Sequence, residues 1–238
     1  MRIIGILFFI FGFVTWLSSV LIPYLQIACE LNNAESYLVA FAFYISYVMM
    51  ALPSAWVLKK TSYKKGMSIG LMLMSLGAIL FIPAALTRTY PLFLAGLFVQ
   101  GSGLAILQTA ANPYITILGP RESAAKRMSI MGIANAVAGV IAPLVLGAIV
   151  LSGTEEVKNN ITALDPLQKA AQLDQLAQQV IVPYIIMAVI LFILAIFIYY
   201  SKLPEVDGEE DNEASQANDT YKQSIWQFPH AIIGVFAL

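Results

Sequence analysis

Residues 3–29 read IIGILFFIFGFVTWLSSVLIPYLQIAC, 27 consecutive positions without a charged side chain. A helix rises about 1.5 Å per residue, so about 20 residues cross the roughly 30 Å hydrocarbon layer of a bilayer. The stretch is long enough to span a membrane and too long and continuous for a barrel strand. Five further uncharged runs follow at 36–58, 66–87, 89–120, 128–154 and 175–201, each of 22 to 32 residues. Backbone polar groups cannot stay open in lipid, so the expectation is six spanning helices in an all-α polytopic membrane protein.

The composition agrees. Of 238 residues, 59% are hydrophobic and 11% charged, against about a quarter charged in soluble domains. Mean hydropathy is +0.78. A net charge of -1 leaves no basic footprint, so nucleic acid is not an expected partner; the lipid bilayer is. Cys29 is the only cysteine, which excludes an internal disulfide.

Lysine and arginine give the orientation. Taking the gaps alternately, one side holds Arg2, Lys59, Lys60, Lys64, Lys65, Arg121, Lys126, Arg127, Lys202 and Lys222, and the other only Arg88, Lys158 and Lys169. The positive-inside bias then puts the N-terminus in the cytoplasm. Residues 1–203 form the six-helix unit. Within it, the outer loop 152–180 starts a short amphipathic helix at Asp165-Pro166, with Leu167, Ala170, Ala171, Leu176 and Val180 at helical spacing. The loop also holds the tripeptide Asn160-Ile161-Thr162, a glycosylation pattern too common to carry weight. Residues 204–224 carry seven acidic side chains against one lysine and read as an acidic cytoplasmic linker. The apolar run 225–238 reads as the truncated start of a seventh helix, and the chain as a fragment of a longer one.

Helices one and four repeat each other. An offset of 90 carries Pro23-Tyr24 onto Pro113-Tyr114, Leu7-Phe8 onto Leu97-Phe98 and, in helices two and five, Pro53 onto Pro143. An odd number of spans separates the copies, so the repeat is inverted in the membrane, a 3+3 arrangement. Proline-interrupted helices at matching places of inverted repeats point to a transporter's binding site.

No Asp, Glu, Lys or Arg lies inside the six spans. Intramembrane ion and proton sites depend on such groups, and enzymes on nucleophile–base pairs or metal ligands. Neither an enzyme, a metal site nor a cofactor is expected. The spans instead carry neutral hydrogen-bonding groups: Gln108 and Asn112 four apart on helix four, with Thr109 beside them and Gln100 two turns earlier. Helix one adds Thr15, Ser18 and Ser19, helix two Tyr44, Ser46 and Tyr47, and helix five Asn135. Amides are costly to bury unpaired, so these groups face protein, water or ligand. One reading is glue between helices, helped by small residues such as Gly101, Gly103 and Gly139. The other is a shared polar cavity of amides, hydroxyls and rings suited to an uncharged polyhydroxylated solute. The substrate-site candidates are Gln108, Asn112, Asn135, Ser18, Ser19 and Tyr47.

The strings FFIFGFVTWLSSVLIPYL, ALPSAWVLKKTSYKKG and GLAILQTAANPYITILGPRESAAKRMSIMGIAN, with FPH at 228–230, resemble the fucose, galactose and glucose permeases of the major facilitator superfamily. The likeness is strongest to bacterial glucose/galactose transporters. It implies a twelve-helix parent of two six-helix halves, of which this chain is the N-terminal half plus the start of the next, with the C-terminal half missing. It also implies import of a monosaccharide with a coupling proton. In fucose permease an aspartate stands at the position of Ser19 and a glutamate at that of Gln108; both positions are neutral here. The family's helix-five glutamine falls on Gly132, and its asparagine one turn later is matched by Asn135. The expected function is a secondary active transporter of a neutral monosaccharide working by alternating access. The alternatives are a membrane sugar sensor or scaffold that does not transport, and a six-helix unit that works by self-association.

Overall fold

The computed structural model describes residues 2–150, 165–201 and 203–204. Among these, seven helices follow in order: α1 (Arg2–Ala28), α2 (Asn33–Lys60), α3 (Tyr63–Thr87), α4 (Tyr90–Ile117), α5 (Ala124–Val150), α6 (Pro166–Gln178) and α7 (Ile181–Tyr200). A single 3-10 turn, Arg121–Ser123, sits between α4 and α5. Six segments are long and apolar enough to cross a bilayer, α6 and α7 running together as the last. The predicted acidic linker after Pro204, the truncated seventh helix and Asn160 lie outside the described residues.

Local chemistry explains the ends. Asn32 and Glu35 form a reciprocal capping box, each side chain bonded to the other's backbone N–H (2.8 and 2.9 Å). Pro23, Pro53, Pro83, Pro113 and Pro143 all lie within continuous helix. That is tolerated in membrane spans because neighbouring helices and hydroxyl side chains re-satisfy the freed carbonyls.

The packing keeps part of the symmetry of the repeat, although the extensive α3–α4 contact has no comparable α7–α1 counterpart. Exchanging helix one with four and two with five turns the α1–α5 contact into α4–α2, and both are extensive. α3 packs on α4 and on α7, forming the flank of the bundle. Small residues set the approach. A Cβ added at Gly103 would come 2.6 Å from the Gly70 carbonyl oxygen, and one at Gly77 would come 2.6 Å from the Gln100 backbone nitrogen. Gly12 likewise sits against the Asn135 backbone of α5. With no water to drive association in lipid, such contact and interhelical hydrogen bonds hold the helices together. On the α3–α7 seam Ser68 and Ser75 donate to the carbonyls of Ala195 and Ala188, both at 2.8 Å.

The amphipathic helix exists, and its packed face coincides with the expected one only at Leu176 and Val180. Leu173, Leu176, Ala177 and, just past its end, Val180 are buried, whereas Leu167 is 85% exposed and Ala170 and Ala171 face out. Asp165 precedes the helix without a side-chain cap bond. Polar ties set the rotation: Lys169 pairs with Glu30, Asp174 with Arg88 at 3.3 Å, and the Tyr24 hydroxyl donates to the Leu176 carbonyl. α6 also takes residues 175–178 from the expected sixth span, which begins only at Ile181.

Cys29 lies under this clasp. Burial pushes its thiol up to about 11, with Arg88 pulling the other way. The neutral thiol therefore persists through pH 7–9, where an ordinary cysteine ionises. Maleimide labelling of Cys29 should be about a hundredfold slower at pH 7.5 than that of a free thiol and should rise about tenfold per pH unit up to pH 10. A rate that levels off near pH 9 would contradict this.

Candidate functional site

The helices carrying the candidate residues adjoin: α1 touches α2, α4 and α5, and α4 touches α2 and α5. Along α4 every residue from Gly101 to Leu107 is buried; Gln108 and Thr109 are half-buried and Asn112 is exposed. The polar end of α4 thus emerges from the packed seam with α3. On α5 Asn135 is half-buried and Gly132, one turn before, is exposed; a Cβ at Gly132 meets nothing within 4 Å. The side chains of Gln108, Asn112 and Asn135 make no hydrogen bond within the described residues. An unpaired amide in a span is tolerated where it can meet water or a ligand.

The α1–α5 contact adds a ring. Gly139, one turn past Asn135, lies under the Trp16 indole, where a Cβ would come 2.7 Å from the ring, and Trp16 is 51% exposed. Ser19, also exposed, donates to the Trp16 carbonyl at 2.7 Å, which leaves its lone pairs open. Across the α1–α2 contact Tyr47 is half-buried with Thr15 as its hydroxyl partner, and its ring lies 6.0 Å from Phe43 and 6.4 Å from Tyr44. Ser18 is on α1, but its side chain lies outside the described residues.

Other polar residues in the spans belong to packing. Gln100 is 1% exposed, with its amide 3.9 Å from the Met187 sulfur. Ser46 is buried and donates to the Phe43 carbonyl. Thr109 bonds to the Ala105 carbonyl at 2.7 Å and to the Ser54 hydroxyl on α2 at 3.3 Å. These three are glue rather than lining. Two cavities among the described residues are apolar and hold none of the candidates. One, of about 270 Å³, lies between α1, α5 and α7; the other, of about 470 Å³, lies between α2 and α4. Asn135 lies one turn from the Gly139–Trp16 contact of α1 and α5, and Gln108 and Asn112 lie at the less buried end of α4.

Two features escaped sequence reading. Tyr24 and Tyr114, the repeat-related pair, hold opposite ends of the last span: Tyr24 through Leu176, and Tyr114 through the Pro204 carbonyl at 2.9 Å. Their recurrence at offset 90 was the signal, though not their partners. Arg127, read as a loop charge, is 7% exposed and serves the α4–α5 corner. Its guanidinium donates to the carbonyls of Ile115, Thr116 and Pro120, each at 3.0 Å.

The family model for the Major Facilitator Superfamily matches residues 4–238. The chain belongs to that superfamily. Among curated major facilitator relatives it is similar to a glucose/galactose transporter of Brucella abortus biovar 1 (strain 9-941), 37% identical over 98% of this chain and 52% of the relative. It is also similar to an L-fucose-proton symporter of Escherichia coli (strain K12), 35% identical over 89% of this chain and 49% of the relative. The crystal structure of the major facilitator transporter FucP in the outward conformation matches with a TM-score of 0.75 at 32% identity, over 93% of this chain and 55% of that one. The chain spans about half the length of the curated relatives it matches. It is a multi-pass membrane protein with the six-helix, inverted-repeat bundle of the major facilitator fold, and its homologues are transporters, not enzymes.

Proposed function

We propose that this chain is the N-terminal half of a transporter that imports a neutral monosaccharide by alternating access. In this reading Gln108, Asn112, Asn135, Ser18, Ser19 and Tyr47 bind the sugar from one side, and a C-terminal half closes over the same face. The observation that carries it is three partly or fully exposed amides, Gln108, Asn112 and Asn135, without hydrogen-bond partners among the described residues, with the exposed Trp16 indole on Gly139 one turn from Asn135. Sugar hydroxyls pair with amides, while the C–H face of the ring lies on an aromatic surface. Relatives named for glucose, galactose and fucose support this substrate class.

In the same reading residues 1–203 are the bundle, 204–224 the linker and 225–238 the start of helix seven. The N-terminus is cytoplasmic in a bacterial inner membrane, since ten of thirteen basic residues fall on its side. The proton coupling named for the fucose relative needs a titratable group, and residues 3–29, 36–58 and the other spans hold no Asp or Glu. Coupling by a carboxylate in the C-terminal half fits both facts.

The test is sugar uptake by the full-length parent in proteoliposomes. Because Gln108 and Asn135 have no hydrogen-bond partners among the described residues, alanine there should cost less than about 0.5 kcal/mol of stability. Each lost hydrogen bond to a neutral solute is worth about 0.5–1.5 kcal/mol, so each variant should lose about two- to tenfold in sugar affinity. Unchanged uptake in both folded variants would refute the site, and saturable binding without uptake in the wild type would refute transport.

A further inference from the structure

Exchange of the two three-helix units carries the α3–α4 seam onto a seam between α7 and α1. α3 and α4 close on each other extensively, whereas α1 and α7 share no comparable contact. Side-chain volume accounts for the difference. On α4, Gly96 and Gly103 admit α3: an added Cβ would come 2.9 Å from the Phe81 ring at the first and 2.6 Å from the Gly70 carbonyl oxygen at the second. The offset of 90 puts Ile6 and Phe13 at these places on α1. Where α4 offers no side chain, α1 offers a branched chain and a ring, so α7 is held off.

What stands in place of the seam is a groove of about 270 Å³ between α1, α5 and α7. Phe9, Phe13 and Leu17 are spaced four apart and share the side of α1 that lines it. From Phe9 to Leu17 it runs about 12 Å along the helix, against about 15 Å of hydrocarbon in each leaflet of a bilayer. Every lining residue but Tyr184 is apolar, and the Tyr184 ring stacks on Phe81 of α3 at 3.9 Å. Val14, Leu17 and Leu191 form a buried floor, and Ile186 and Ile190 an exposed rim. The rim continues along α7 into Val182, Val189 and Ile193, also exposed. In a helix that crosses the membrane, that face is the boundary with lipid.

We propose that this groove seats one acyl chain of a membrane lipid, held as a fixed part of the bundle rather than exchanging as boundary lipid does. Three observations select this occupant: a lining without charge, continuity with the lipid boundary of α7, and a length close to that of one leaflet. A chain in the groove makes the close contacts that Ile6 and Phe13 deny to α7. Such contact is what joins helices where water does not drive them together. The groove is also separate from the candidate sugar site, because Gly12, Trp16 and Ser19 lie on another side of α1. The rival occupant is protein, either a further segment of a longer chain or a second copy.

The test uses the whole 238-residue chain, one copy per nanodisc, in phosphatidylcholine carrying a trace of the same lipid with a diazirine on its acyl chain. Light joins the chain to whatever it touches, and peptide mapping finds the residue. Boundary lipid labels in proportion to exposure, so Leu76 and Ile79 of α3, 56% and 45% exposed, are the reference. The expected result is that Val14, Leu17 and Leu191 label at least as strongly as that pair although they are buried. After exchange into unlabelled lipid, their labelling should persist when that of Leu76 and Ile79 has gone. A diazirine on the headgroup should label none of the three. Val14→Trp puts a ring into the groove and should remove labelling of Leu17 and Leu191 while keeping that of Leu76. The wild-type pattern stands even if this variant fails to fold. A floor that stays unlabelled beside a labelled Leu76 would overturn the proposal and leave the groove to protein. Floor labels that wash out together with those of Leu76, or that survive Val14→Trp unchanged, would overturn it by showing boundary lipid alone.

Discussion

Replacing Arg127 by methionine is expected to unlock the corner between α4 and α5 and to cost roughly 2–4 kcal/mol. The last carbonyls of a helix have no intrahelical donor, and here Ile115 and Thr116, in the final turn of α4, are served by one guanidinium that also binds Pro120. A positive charge at a helix C-terminus is favourable in itself. Removing it leaves several carbonyls unpaired beside a buried apolar side chain. Lysine keeps the charge but not the fork, and should recover about half the loss. Thermal unfolding of purified protein and protease cutting between residues 117 and 124 measure both effects. A methionine variant as stable as the wild type would show that water replaces the guanidinium without cost.

The second large effect is at Gly103. A Cβ there meets the Gly70 carbonyl oxygen and the Met74 amide nitrogen, both at 2.6 Å. Backbone cannot yield as a flexible side chain can, so Gly103→Ala should force α3 and α4 apart at about 2–3 kcal/mol, and Gly103→Val should prevent assembly of the bundle. Gly132 is the internal comparison. Nothing lies within 4 Å of its added Cβ, and alanine there should stabilise helix α5 by up to about 1 kcal/mol. Opposite signs for the same substitution at Gly103 and Gly132, read from unfolding of the two variants, are the outcome to check. Equal shifts would mean that helix propensity, not close approach, governs these positions.

The class of fold was legible because lipid imposes one rule that length and charge alone express: six uncharged runs of sufficient length must be helices. The repeat was legible through Pro23-Tyr24 and Pro113-Tyr114, and its consequence is seen in the mated α1–α5 and α2–α4 contacts. What sequence could not supply was the rotation of each helix. Gln100 and Gln108 are the same residue on the same helix, yet one is buried against α7 and the other is half-buried at the less buried end of α4. In a span apolar all round, hydrophobic periodicity does not tell a packed side from an open one. On α6 the packed stripe is Leu173, Leu176, Ala177 and Val180, and Lys169, Asp174 and the Tyr24 bond tie it in the same rotation. Arg127 was misread for a related reason: a loop charge is presumed solvated until a helix end is found beneath it.

The seam between α3 and α7 has a consequence for how such a bundle arises. Under the exchange of the two three-helix units, the third span maps onto the sixth, so this contact is the only major one that maps onto itself. It is the surface through which two separate copies of an ancestral unit would have met, each offering the same face to the other. Both hydroxyl donors, Ser68 and Ser75, are now on one partner, and both carbonyl acceptors, Ala195 and Ala188, on the other. A true pair of identical copies would share donors equally. Duplication followed by this division of labour leaves each unit dependent on the other, so neither three-helix piece should self-pair as well as it pairs with its diverged twin.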